Sequence, residues 1–154
     1  MMRRLKFTLG AVAAIALSAS AMASEVAPDA VEFTDDGVTM SLTGVPGDPV
    51  AGADAFKNKS LGNCLACHVN ASMATEQFHG DVGPALDGVA SRWEEPELRA
   101  ILVNSKKALS EETLMPGFYS MEVGKNVAEK FVGKTILTAQ QVEDVLAYLG
   151  TLKE

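Results

Sequence analysis

Cys64-Leu65-Ala66-Cys67-His68 sets two thiols three positions apart, with an imidazole directly after the second. Thiols at that spacing can add across the two vinyl groups of a porphyrin, and the histidine can then bind its iron. The run therefore points to one covalently bound c-type haem, with Cys64 and Cys67 as attachment sites and His68 as an axial iron ligand. Three other chemistries use a cysteine pair of this spacing: a zinc half-site, a thioredoxin-like redox pair and a structural disulfide. Zinc needs two further ligands, and outside the run the chain has no cysteine and a single histidine, His79, so a closed site would depend on carboxylates. A thioredoxin-like pair belongs after a strand in a βαβ pattern, which the rest of this sequence lacks, and has no use for the histidine.

A haem iron with one histidine needs a group for its other face. Past the N-terminal segment the chain offers Met40, Met73, Met115 and Met121, besides His79. Thioether ligation favours Fe(II), and an apolar pocket disfavours the extra charge of Fe(III), so a His/Met pair raises the potential. Met73 and His79 sit close to the attachment run in sequence and are poorly placed to reach the opposite face. Met115, followed by Pro116, lies in a loop between two expected helices and is a candidate. Met121 competes with it, and a bis-histidine site through His79 stays open at this level.

These groups need a scaffold and a compartment. Arg3, Arg4 and Lys6 form a basic start, Phe7 to Leu17 is apolar, and Ala21-Met22-Ala23 is a cleavage signature, so residues 1–23 read as a Sec-type signal peptide and the mature protein as periplasmic. The apolar run is short for a membrane span, and no later segment approaches the length one needs. Both thiols would be consumed by thioether bonds, leaving no loose cysteine in an oxidising compartment and no catalytic one. Removing residues 1–23 takes away three bases and no acid, turning 13 bases against 20 acids into 10 against 20, a formal charge of −10. Such a surface excludes nucleic acid and anionic membrane as partners.

About 130 residues then suffice for one small domain. Residues 24–47, rich in Pro, Gly and acid, read as an irregular arm with at most a short strand at Val38, Met40 and Leu42; it is either a solvated arm or a docking element. Residues 48–154 read as the haem domain. Asp48 and Pro49 should cap a helix running to about Ser60, with Val50, Ala53 and Phe56 among its buried residues. A Gly-rich loop should follow the haem run to about Ala90. Glu95-Pro96 should open a helix with Leu98, Ile101 and Leu102 on one stripe, ending at Asn104 and Ser105. Thr138 and Gln141 form a capping box for a last helix, whose apolar stripe is Val142, Val145, Leu146, Leu149 and Leu152.

In that order these elements resemble the all-α class I cytochrome c fold. Its first and last helices cross near the haem edge through a small residue and two aromatics, places that Gly52, Phe56 and Tyr148 would fill. The likeness also makes Met115-Pro116 the family's methionine-ligand loop. It makes Gly83-Pro84-x-Leu86 the segment beneath the proximal ring, where the Pro84 carbonyl takes the Nδ1 proton of His68.

The segments Ser41-Leu42-Thr43-Gly44, Pro46-Gly47-Asp48-Pro49, Gly62-Asn63-Cys64-Leu65-Ala66-Cys67-His68, Gly83-Pro84-Ala85-Leu86-Asp87-Gly88-Val89-Ala90-Ser91-Arg92-Trp93 and Met115-Pro116-Gly117-Phe118-Tyr119 are together similar to the SoxX family, the monohaem cytochrome c subunits of SoxAX complexes in thiosulfate oxidation. The resemblance implies a heterodimer with a SoxA-type cytochrome. It also implies an L-cysteine S-thiosulfotransferase reaction that couples thiosulfate oxidatively to a cysteine of a SoxYZ-type carrier, and electrons passed through this chain to a soluble cytochrome c. On that reading the chain alone is non-catalytic. The alternative is a free-standing periplasmic electron-carrier cytochrome c.

Overall fold

Helix α1 (Pro49–Lys57) starts where Asp48 and Pro49 require. The Asp48 carboxylate accepts from the Val50 N–H at 2.8 Å, satisfying one of the donors a helix start leaves free, and the proline's missing N–H costs nothing at the first position. The computed structural model describes residues 25–122 and 126–154, so the expected signal peptide lies outside the described residues. The helix ends earlier than expected, at Lys57. Asn58 turns extended there, and its carbonyl collects the N–H groups of Leu61 and Asn63. Val50, expected inside, is 71% exposed, because the buried face of α1 is Gly52, Ala55 and Phe56.

That face packs on α4 (Ala139–Leu149), the last helix. Thr138 and Gln141 form the reciprocal capping box, and Val142, Val145, Leu146 and Leu149 are all buried, with Leu152 just beyond. The two helices approach so closely at Gly52 that a Cβ there would run into the Asp144 carbonyl. The Phe56 and Tyr148 rings meet edge-on with centroids 5.3 Å apart. Gly52, Phe56 and Tyr148 thus occupy the crossing that the cytochrome likeness gave them.

Between these ends come α2 (Val89–Arg92), a single turn not expected from sequence, and α3 (Glu95–Ala108). Glu94 and Glu97 cap α3 reciprocally. Leu98 and Leu102 are buried and Ile101 partly so. At Asn104, where the sequence suggested an end, the backbone leaves helical geometry (φ −150°, ψ 91°) and the helix resumes to Ala108 beyond a kink.

The arm has no strand among its described residues, only one isolated bridge between Thr34 and Gly37. Strand alternation would put Val38, Met40 and Leu42 on one face, yet Met40 is 57% exposed while Val38 and Leu42 are buried. Nor is the arm merely solvated. The Val38 N–H donates to the Pro96 carbonyl at 3.0 Å, and Gly37, at φ +99°, lies against that same carbonyl with no room for a side chain. Arg99 donates to the Val38 carbonyl at 3.0 Å and to Glu143 at 3.0 and 3.1 Å, and Glu143 accepts the Leu42 N–H at 2.8 Å. One buried ion pair thus ties the arm to both α3 and α4.

Candidate functional site

Asn63, at φ 51°, turns the chain out of α1 into a 3-10 turn at Cys64–Ala66. This tight turn brings both thiols and the imidazole to one wall. Cys64 is buried and its thiol is pushed up to about 12, mainly by burial; Cys67 is exposed, and the two are not joined in a disulfide. His68 is held from the far side: its Nδ1 lies 2.7 Å from the Pro84 carbonyl. That carbonyl can only accept, so Nδ1 carries the proton and Nε2 keeps its lone pair for a metal. Gly83 packs flat against the ring, and a Cβ at this position would collide with it. The Gly83 loop is pinned in turn: Gly83 N–H donates to the Cys67 carbonyl at 2.8 Å, and Arg92 donates to the carbonyls of Asp87 and Ala85.

The opposite wall comes from α3 and the loop after it. Leu98, Ile101 and Leu102 project from α3, and Met115 and Pro116 close the far side, giving a cavity of about 670 Å³ whose lining includes Cys64, Cys67, His68, Pro84 and Met115. Met115 is the only methionine on its wall among the described residues. Met121 is half exposed and Met73 sits in the core, both away from the lining. His79 is also elsewhere, its Nε2 3.0 Å from the Met73 carbonyl and its Nδ1 accepting the Asn70 N–H. A second hollow of about 530 Å³, lined by Lys57, Lys59 and Phe78, contains none of these donor groups.

The donor set fits a covalently attached haem: two thiols, an oriented imidazole and a thioether share one largely apolar cavity, and the glycine behind the imidazole leaves the ring its place. It does not fit zinc, because among the described residues no three His, Cys, Asp or Glu side chains gather as a metal site.

Residues outside the motifs hold this arrangement. Asn70, fully buried, donates to the Tyr148 hydroxyl at 2.7 Å and so links the segment after His68 to α4. Asp87 accepts the Ala71 N–H at 2.9 Å, bracing the same segment against the Gly83 loop. Ser105 donates to the Met115 carbonyl at 2.6 Å. No periodicity marks such residues; only the tendency of Asn, Asp and Ser to bond to nearby backbone hints at them.

The family described as Cytochrome c matches residues 49–153. Among solved structures, SoxXA from P. pantotrophus is similar at 41% identity, covering 85% of this chain and 100% of that one, with a TM-score of 0.77. Ferric cytochrome c-550 from Paracoccus versutus is similar at 21% identity, covering 70% of this chain and 99% of that one, with a TM-score of 0.40. Cytochrome c2 from Paracoccus denitrificans stands at 20%, with 70% and 97% covered and a TM-score of 0.39. No curated protein matches the chain.

Proposed function

As a chain that belongs to the cytochrome c family, and within it to SoxX, this protein is, we propose, the electron-transfer subunit of a SoxA-partnered thiosulfotransferase complex, carrying a single haem c. The observation that supports it best is the convergence of Cys64, Cys67, His68 and Met115 on one cavity, in a chain whose likeness to a SoxXA structure spans the whole of that structure's matching chain.

Cys64 and Cys67 would hold the haem through thioethers and His68 and Met115 would ligate its iron, and the bound group would supply a reversible one-electron couple. The chain's own residues set the terms of that couple. The Pro84 carbonyl holds the Nδ1 proton of His68, which fixes the tautomer and strengthens the ring as a donor. Leu98, Leu102, Phe118 and Val145 line the cavity without polar groups and keep water from the iron's surroundings, which favours the less charged oxidation state.

Nothing on this chain is left to make a sulfur bond, because both cysteines serve attachment. In the proposed complex the SoxA-type subunit carries that chemistry. Thiosulfate is coupled oxidatively to a cysteine of a SoxYZ-type carrier, and this chain receives the electrons released and passes them to a soluble cytochrome. Export to the periplasm by the residue 1–23 signal belongs to the same reading, and no described helix is long and apolar enough to cross a membrane.

One observation favours the free-standing carrier instead: the arm packs on its own domain rather than projecting toward a partner. Co-expression with a SoxA-type subunit, size-exclusion chromatography and a thiosulfate-dependent haem-reduction assay separate the two. Co-elution and dependence of turnover on this chain support the complex. A monomeric profile with turnover unchanged when the chain is omitted leaves the carrier.

A further inference from the structure

The kink in α3 does work on the far side of the cavity. In an unbroken helix the Leu102 carbonyl would accept from the Lys106 N–H and the Val103 carbonyl from the Lys107 N–H. Here helical geometry breaks at Asn104, and the Leu102 carbonyl accepts from the Phe118 N–H at 2.9 Å and the Val103 carbonyl from the Tyr119 N–H at 3.2 Å. Asn104 makes that exchange possible. Its Oδ1 accepts from the Lys106 N–H at 3.2 Å, and its Nδ2 donates to Ser120 Oγ at 3.3 Å. The next residue, Ser105, has no solvent exposure and donates to the Met115 carbonyl, while Lys106 Nζ donates to the Thr113 carbonyl at 2.7 Å. A Cβ added at Gly117 would lie 3.1 Å from the Val103 carbonyl oxygen, so the loop is pressed onto the opened turn.

We infer that Asn104 is a positioning residue for Met115: by diverting the Lys106 N–H it opens the helix, and the freed carbonyls clamp the loop that holds the Met115 thioether on the cavity wall. A polar residue in mid-helix otherwise has little reason to be 3% exposed. Replacing it by alanine lets the helix close, returns the Leu102 carbonyl to Lys106, and deprives Phe118 of its anchor. Stability can survive that change, because a regular helix replaces the bonds lost. The grip on Met115 cannot.

This assignment depends on the reading of Met115 as the sixth ligand, and the experiment keeps the two apart. Ferric holoproteins of the wild type, Met115→Ala, Asn104→Ala and Asn104→Asp are compared by the weak near-infrared sulfur-to-iron band and by the affinity for added imidazole, which must displace the sixth ligand. If Met115→Ala leaves the band in place, the ligand reading itself fails. With that band lost in Met115→Ala, Asn104→Ala is expected to weaken it and to bind imidazole about tenfold more tightly, a shift of about 1.4 kcal/mol. Asn104→Asp keeps the acceptor for the Lys106 N–H and is expected to stay near wild type. Wild-type band and imidazole affinity in Asn104→Ala overturn the inference. So does an Asn104→Asp variant that weakens the band and binds imidazole about tenfold more tightly than wild type, and this comparison with wild type stands even if the alanine variant fails to accumulate.

Discussion

Glu143→Gln tests whether the arm is part of the domain or an appendage to it. Arg99 and Glu143 are 4% and 5% exposed, and the carboxylate accepts from Arg99 Nε, Arg99 Nη2 and the Leu42 N–H. Burial opposes the guanidinium's charge, but the bonds from Glu143 and then Glu95 outweigh it and hold the group above its usual value. Removing one partner of a buried pair strands the other charge, a loss of about 3–5 kcal/mol. Glutamine keeps one acceptor oxygen, which points to the low end, about 3 kcal/mol. With an unfolding entropy of about 2.1 cal/mol/K per residue and about 130 residues, that loss lowers Tm by roughly 11 °C.

The control is built into the same guanidinium. Glu95 also pairs with Arg99 Nη2, at 2.6 Å, but its side chain is 70% exposed, so Glu95→Gln should cost no more than about 0.5 kcal/mol, roughly 2 °C. Thermal unfolding of the ferric holoproteins followed by far-UV circular dichroism reads both. Limited proteolysis should show new cleavage between residues 38 and 42 in Glu143→Gln, because the Val38 and Leu42 tethers run through this pair. Equal small shifts for the two variants, with the arm still resistant, would refute the reasoning.

Two further outcomes follow from the site and its edge. Cys64→Ala or Cys67→Ala should sharply reduce mature holoprotein, and wild-type haem should stay with the denatured chain in a gel; release of that haem by acid-acetone would falsify the thioether assignment. Tyr119, 2% exposed, donates its one hydroxyl proton toward the Glu25 carboxylate and the Val26 carbonyl, and burial first and then Glu25 raise its pKa above the usual tyrosine value. The proton is therefore held more tightly in the folded state, so the stability from this group is fully present below about pH 10 and is lost as pH rises toward the folded value. Denaturant midpoints measured from pH 8 upward should fall more steeply above pH 10 in wild type than in Tyr119→Phe, and parallel curves would count against it.

What the sequence made legible follows from where its information is local. The haem run, the Asp48-Pro49 start, the Thr138–Gln141 box and the stripe of α4 each depend on residues within a few positions of one another, and all appear where the sequence put them. Val50 was misplaced because α1 is short and its buried side is set by Gly52 meeting a backbone ninety residues later. The strand expected at Val38, Met40 and Leu42 fails for a similar reason. Alternation describes a pleated ladder, and this segment has no ladder partner, only a buried arginine and glutamate that take its backbone groups one at a time. Of the candidate iron ligands, Met115 is set ahead of Met121 in the sequence only by the Met115-Pro116 likeness, and the cavity geometry separates the two independently, with Met115 on the wall and Met121 half exposed.

The packed arm also changes what a partner could gain. An unstructured acidic arm would lose conformational entropy on docking, and some of its interaction energy would go to ordering it. Here that ordering already occurs within the domain, through the Val26 N–H to the Leu42 carbonyl, Tyr119 to Glu25 and Val26, and the Arg99–Glu143 pair. On the proposed reading a SoxA-type partner would meet a preformed surface, and the exposed acids of the arm, Glu32, Asp35 and Asp36 among them, would contribute charge to it without having to fold. Such exposed charges act mainly on encounter, so neutralising Asp35 and Asp36 together should slow association and weaken its dependence on salt while leaving dissociation nearly unchanged. Stopped-flow association of the separately purified subunits at two ionic strengths reads this directly. A change confined to the dissociation rate would mean that the arm lies inside the contact and orders there after all.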